Sequence, residues 1–418
     1  MTNSGLTRTL LVLAALVAGL TLGAWLSATD SLALTTVEAF AGPIGTLWLN
    51  ALRMTVVPLV FAMLFTGVVS AAETAATGGL AARALAWFIG LILASGVFSV
   101  VMSPLLLDFW PVSSQEAAAL VSTSQGGAVP IPAAPPFGDW LLSFVPVNPI
   151  GAAAEGAMVP LVVFALIFGL AATRIAPAAR AQLSGFLDAV VQAMLVIVEW
   201  VLWAAPIGIF GLATGVGAKL GSGAFGLLFH YISLLVTVQV LLILCVYPLA
   251  ALLGRTGFGP FTRAVAPVQL VALSTQSSIA CLPAMVEAAT ELDLPEATRR
   301  LVLPLAVSLF KITSPCANLA VVIYVASVHG IALGPLQFTA GVLVAVAVAV
   351  ASAGLPGGTS FFLACVPLCA VMGVPTELLP LLLAVEVIPD ILRTIGNVTG
   401  QVAITAVLSR NRGAVVAA

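Results

Sequence analysis

Apolar runs of about 20 residues, each enough to span the ~30 Å hydrocarbon layer of a bilayer, recur along the whole chain. No other feature narrows the fold as much. Composition agrees with it: 61% of the 418 residues are hydrophobic and 7% are charged, against about a quarter charged in soluble domains. That balance excludes an ordinary cytosolic protein and predicts an all-α polytopic membrane protein. The amino-terminal "MTNSGLTRTLLVLAALVAGLTLGAWLSA" is laid out like a secretion signal, with Arg8, an apolar run and small residues. Its length and the spans that follow make it a retained first helix.

Hydropathy and helix breakers predict six full spans, roughly 8–29, 38–71, 83–107, 158–174, 180–212 and 224–254. Between the third and fourth lies "SSQEAAALVSTSQGGAVPIPAAPPFGDW", too polar and proline-broken to cross a membrane. With the amino terminus cytoplasmic, alternate loops carry Arg83, Arg174, Arg180, Arg255 and Arg263, and the tail adds Arg410 and Arg412. The opposite loops carry Asp30, Glu38, Asp108, Glu116 and Asp139, with Lys219 the only cation. The positive-inside rule then places both termini in the cytoplasm, in a multi-pass protein of the inner (plasma) membrane.

The last 160 or so residues change character. "QLVALSTQSSIACLPAMVEAA" (269–289) and "VAVASAGLPGGTSFFLACVPL" (348–368) are apolar but broken midway by Ser, Gly and Pro. Each precedes a long apolar segment carrying charge, 299–329 with Lys311 and 375–409 with Glu386, Asp390 and Arg393. Paired interrupted segments are the sequence mark of a transporter's binding site. Lys311 is the only formal charge between Arg300 and Glu377. A lone ammonium at that depth costs roughly 2.5–3.5 kcal/mol on insertion scales.

In "LLAVEVIPDILRTIGNVTGQVAI" (382–404), Glu386, Asp390, Arg393, Thr394, Asn397 and Gln401 recur at spacings of three and four, forming one polar stripe of a helix. The bland reading is a polar face towards a vestibule. Intramembrane ionisable groups favour a functional one. Arg393 offers a planar fork for a carboxylate, Asp390 could accept from an ammonium, and the "STQSS" break supplies backbone N–H groups for a second carboxylate. An acidic α-amino acid matches all three.

"RTIGNVTGQ" with its upstream acid, the serine tip before "LP", "AGLPGG", "LRMTVVPLVFAMLFTGVVS" and "FVPVNPIGA" together resemble the glutamate transporter homologues, the dicarboxylate/amino acid:cation symporters. The resemblance implies a homotrimer of elevator-type transporters, each with eight transmembrane helices and two re-entrant hairpins arranged as inverted repeats. It implies scaffold helices in 1–82 and 113–215, with the transport domain formed by 83–112 and 216–418. Within the latter it places hairpin 1 at about 259–293, helix 7 at about 299–329, hairpin 2 at about 337–373 and helix 8 at about 375–409. It also implies that Arg393 holds the substrate's side-chain carboxylate and Asp390 its amino group. Thr394 and Asn397 contact the amino group and α-carboxylate. Ser277 and Ser278 form the first hairpin tip; Gly354, Leu355, Pro356 and Gly357 form the second, the extracellular gate. Ser314 stands where the family has a threonine near the side-chain carboxylate. Members that carry dicarboxylates tend to lack the Asp390-type residue, so its presence favours an amino acid.

The chain departs from the sodium-coupled pattern. Where those members carry "NMDGT", it has Phe310, Lys311, Ile312, Thr313 and Ser314. Gln401 replaces another sodium-binding aspartate, while Glu386 keeps an acid. "AWFIGLILASG" lacks the family's tyrosine and threonine, although Ser95 is nearby. Lys311 and Arg393 against Glu386 and Asp390 sum to zero, so the empty site needs no bound cation, and unpaired buried charge is the expensive alternative. The expectation is a sodium-independent transporter in which Lys311 replaces a bound cation. Any coupling falls to protons carried by Glu386 or Lys311, and no other cofactor or metal is expected. The bland alternative is a Lys311 that snorkels to an aqueous edge.

A dicarboxylate, a neutral amino acid or cystine stays open as substrate, as does sodium coupling. An intramembrane protease is disfavoured by the absence of GxSxG near a usable histidine, and a channel by the mixed-sign site. No basic block suggests nucleic acid as a partner. His230 and His329 are isolated and read as structural or interfacial. Arg53 reads as an in-membrane cation that could pair across a trimer scaffold. Trp87, Trp110, Trp140, Trp200 and Trp203 suit interfacial belts. The five cysteines, Cys245, Cys281, Cys316, Cys365 and Cys369, read as buried packing residues without disulfide or zinc spacing.

Overall fold

A computed structural model describes residues 3–29, 32–76, 78–112, 138, 142, 144–221, 223–351 and 357–410. Among these the ordered elements are helices: α1 Asn3–Ala28, α2 Leu32–Arg53, α3 Val56–Ala76, α4 Gly79–Phe109, α5 Pro149–Ala154, α6 Met158–Ala172, α7 Pro177–Trp203, α8 Ala205–Leu220 and α9 Gly223–Pro248. A π-helical turn, Leu249–Leu253, follows. Then come α10 Phe258–Thr275, α11 Leu282–Glu291, α12 Glu296–Leu309, α13 Thr313–Val328, α14 Pro335–Ala351, α15 Gly357–Met372, α16 Leu379–Val385 and α17 Val387–Arg410. Seven stretches among the described residues are long and apolar enough to cross a membrane. The chain is a multi-pass membrane protein.

Four spans expected to be continuous are each two helices. Span 38–71 breaks at Met54–Thr55, 180–212 at Ala204, 299–329 at Phe310–Ile312 and 375–409 at Glu386. One cause serves all four. Pro58, Pro206, Pro315 and Pro389 lie in the first turn of the second helix of each pair. There the missing N–H is tolerated, but the ring excludes the carbonyl four residues back, at Met54, Leu202, Lys311 and Val385. The Lys311 carbonyl turns instead to the N–H of Ser314, at 3.2 Å. Other prolines, Pro43, Pro104, Pro267, Pro304 and Pro367, are absorbed inside helices.

Helix α8, which follows α7 after the break at Ala204, lies along α1 with the backbones in contact. A Cβ added at Gly23 would stand 2.1 Å from the Thr214 carbonyl oxygen, and one at Gly217 would stand 2.2 Å from that of Leu20. Small residues allow this approach, which is how helices gain packing where lipid removes the hydrophobic drive. Towards the carboxyl end α10 packs on α11, and α14 on α15. Helix α17 is enclosed by α9, α10 and α12, while α13 runs against α4 and α9. The tip between α14 and α15, with Gly354, Leu355 and Pro356, lies outside the described residues.

One smaller expectation changes. Cys245 is exposed on the chain surface rather than buried, whereas the other four cysteines are buried and free. Arg53 finds its partners within the chain: its guanidinium donates to Thr376 Oγ1 and lies 3.7 Å from Glu377. That contact ties the end of α2 to the turn before α16.

Candidate functional site

The break between α12 and α13 sets the site. Phe310 is extended, so Lys311 sits on unwound backbone rather than mid-helix. Phe310 stacks on Phe88 of α4, their centroids 5.0 Å apart. Facing this stretch, α17 presents Gly396, where a Cβ would stand 2.4 Å from Thr313 Cγ2 and 2.8 Å from Ile243 of α9. Three elements converge on that missing side chain.

Thr313 locks the start of α13 to α17. Its N–H donates to Asn397 Oδ1 at 3.1 Å, and its hydroxyl lies 2.8 Å from both that oxygen and the Arg393 carbonyl, with one hydrogen to give to either. Gln401 closes the other side of the break. Its Nε2 donates to the carbonyls of Phe310, at 3.0 Å, and Ala306, at 3.3 Å. The Ala306 carbonyl already accepts the Phe310 N–H at 2.8 Å, but that of Phe310, at the end of α12, relies on Gln401, and a carboxylate in the same place could not satisfy it without a bound cation.

The charged groups lie one turn further back. Arg393 is buried and its Nη2 pairs with Glu386, while Nη1 lies 3.9 Å from Asp390. Glu386 Oε2 accepts from the Tyr231 hydroxyl of α9 at 2.9 Å. Lys311 interacts electrostatically with both Asp390 and Arg393. Two cations and two carboxylates are thus gathered where separate chain segments meet. A neutral set of this kind is the form in which buried charge is tolerated. Arg393 Nε is buried without a partner. Thr394 Oγ1 turns to the Asp390 carbonyl at 3.0 Å.

Of the residues expected from sequence, Lys311, Glu386, Asp390, Arg393, Asn397 and Gln401 fall in this cluster, and Thr394 lies beside it. Ser314 is buried at the start of α13. Ser277 and Ser278 form the α10–α11 tip, where Gln276 adopts a left-handed backbone and Ser277 Oγ accepts from the Ala280 N–H at 3.3 Å. Both arms of that hairpin contact α17, but no hydrogen bond among the described residues links Ser277 or Ser278 to the charged cluster. Gly357 begins α15, while Leu355 and Pro356 lie outside the described residues. Among the described residues no group of three or more His, Cys, Asp or Glu side chains could hold a metal ion.

Sequence reasoning missed Tyr231 and the role of Thr313. Nothing in the apolar surroundings of α9 marks Tyr231 as a partner of Glu386 from 155 positions away. His230, read as isolated, is fixed through Nε2 on the Trp110 carbonyl at 3.0 Å and packs its ring on Trp110 and Tyr324. It supports the Tyr231–Tyr324 pair, whose centroids are 5.2 Å apart.

Compared with known proteins, residues 9–411 match the model of the sodium:dicarboxylate symporter family. A proton/sodium-glutamate symport protein of Bacillus subtilis (strain 168) is 25% identical over 90% of this chain and 87% of its own length. A proton/glutamate-aspartate symporter of Escherichia coli (strain K12) is 25% identical over 96% of this chain and 91% of its own length. A C4-dicarboxylate transport protein of Pectobacterium atrosepticum is 24% identical, over 88% and 85% respectively.

Proposed function

The chain belongs to the sodium:dicarboxylate symporter family, and from that premise we propose that it is a sodium-independent secondary transporter of acidic amino acids. It works in the plasma membrane as a homotrimer by an elevator motion, with both termini cytoplasmic and coupling, where present, to protons. Residues 83–112 and 216–418 form the moving domain, with hairpins at 259–293 and 337–373 between helices 6, 7 and 8. The rest forms the scaffold.

The observation that carries the sodium-independent reading is the closed set at the helix break. Lys311, Arg393, Glu386 and Asp390 sum to zero, and Gln401 donates to the Phe310 carbonyl, which would otherwise want a cation. The Lys311 ammonium, set against Asp390 and Arg393, repels a further cation at close range. Substrate specificity rests on Asp390 for the amino group and on Arg393 for the side-chain carboxyl, with Ser277, Ser278, Ser314, Thr394, Asn397 and the 354–357 tip completing the site. A second reading, a C4-dicarboxylate substrate, is favoured by relatives that carry that name; it leaves Asp390 without an amino group to bind.

Uptake of labelled aspartate into proteoliposomes, with sodium replaced by choline, tests the ion dependence. Undiminished uptake in choline is expected, and a strict sodium requirement would sink the idea. Lys311→Met should restore a need for an external cation; unchanged ion dependence in that variant also counts against it. A thermal-shift panel of aspartate, glutamate and succinate separates the two substrate readings, since a ligand of the native state raises the melting temperature.

A further inference from the structure

Gln239 on α9 is fully buried, and neither its amide oxygen nor its amide nitrogen has a hydrogen-bond partner. A buried amide left wholly unpaired is costly, so its retention points to a partner that arrives from outside the chain. Two contacts place it against α17. Tyr231 of α9 bonds Glu386, and Ile243, further along α9, lies against Gly396. The two helices therefore run side by side in the same direction. Gln239, two-thirds of the way from Tyr231 to Ile243, comes level with Arg393.

At roughly 100° per residue, Gln239 lies about 80° round α9 from Tyr231, and Ile243 about 120°. Gln239 thus falls on the arc bounded by the two residues that touch α17. Arg393 brings its own unpartnered buried donor, Nε, to the same level.

We propose that Gln239 is a specificity-determining residue that hydrogen-bonds the end of the substrate side chain held at Arg393. It selects an uncharged planar group that both accepts and donates. The group's C=O accepts from Arg393 Nε, and its N–H or O–H donates to Gln239 Oε1. Two sources share this chemistry: a carboxamide, or a carboxylic acid that enters with its proton. The latter deepens the acidic amino acid reading above and rests on it.

Charge balance favours the neutral form. The titratable groups that interact with Arg393 are Tyr231 on α9, Lys311 at the break, Glu386 and Asp390 at α17, Cys316 on α13 and Cys365 on α15. With Lys311 and Arg393 already balanced by Glu386 and Asp390, an ionised side chain would add an unmatched charge, whereas a protonated or amide one would not.

Titration calorimetry on the purified full chain with L-aspartate, L-glutamate, L-asparagine, L-glutamine and L-alanine, at pH 5.5 and 7.5, tests this. The acids should bind about tenfold or more tighter at the lower pH, and the amides equally at both. Gln239→Leu should weaken acids and amides by about five- to tenfold, the scale of one lost hydrogen bond. It should leave L-alanine unchanged and raise the melting temperature, which shows that the variant is folded. Wild-type affinities in Gln239→Leu with a raised melting temperature would overturn the proposal, leaving Gln239 a packing residue. Acids that bind equally at both pH values, yet lose affinity in Gln239→Leu, overturn the neutral-group selection. A wild-type chain that binds none of the five amino acids overturns the amino acid reading itself and this proposal with it.

Discussion

In its most apolar stretch α7 buries 11% of its residues inside the chain, whereas α17 and the run through α12 and α13 each bury 83%. The two regions handle the same solvent differently. Helix α7 is an uninterrupted cylinder that leaves Phe186, Trp200 and Trp203 facing outward, 66–70% exposed, for lipid or another chain to cover. The inner run is broken at Lys311, and α17 carries Asp390 and Arg393 with Glu386 at its threshold. Interrupted backbone and ionisable side chains are tolerated at membrane depth only where protein or a cavity surrounds them. Burial of these helices is what permits the site.

Substitutions can break that contrast, and the largest effect belongs to the inner region. Arg393→Ala leaves Glu386 buried without its cation, and should cost about 3–5 kcal/mol, the range for breaking a buried pair. Chemical unfolding in detergent checks it, and a Glu386→Gln/Arg393→Ala double variant should recover part of the loss. Trp203→Ala, on the outer helix, should stay within about 0.5 kcal/mol. If both variants lose the same stability, the inner–outer distinction fails.

Tight helix joints should rank next. Gly23→Ala drives a methyl into the Thr214 carbonyl and should cost about 1–3 kcal/mol by separating α1 from α8. Gly42→Ala, with nothing within 4 Å of the added methyl, should be neutral or stabilising, by up to about 1 kcal/mol. Melting temperatures of the pair decide whether close packing also governs the outer region.

Tyr231→Phe removes the donor to a buried carboxylate and should cost about 1.5–3 kcal/mol if Glu386 is ionised. A cost near zero would mean that Glu386 does not depend on α9. The smallest effect is expected at Arg53→Ala, whose partner Glu377 is over half exposed, at about 0–1 kcal/mol. Its loss should shrink further at high salt.

Much of the site was legible because the polar residues of α17 share one helix face, a pattern that periodicity exposes directly. Lys311, Glu386, Asp390, Arg393, Asn397 and Gln401 were all nameable on that basis or by resemblance. Tyr231, Thr313 and Gln239 were not. Each sits in a largely apolar helix without a polar stripe to mark it, and the partners of Tyr231 and Thr313 lie 155 and 84 positions away. Cys245 shows the converse, since an apolar segment does not say which of its faces turns outward.

The prolines mark the boundary most clearly. Hydrophobic length alone determined that this chain lives in a bilayer as helices, because lipid leaves the backbone no other widely available partner. Charge and spacing determined that the carboxyl-terminal helices hold a polar site. Which prolines would break a helix was decided only by tertiary structure. Pro315 breaks one because Gln401, Asn397 and the close face at Gly396 wait to satisfy and admit the unwound Phe310–Thr313 stretch. Pro104 and Pro304, with the same ring and the same missing N–H, stay inside continuous helices.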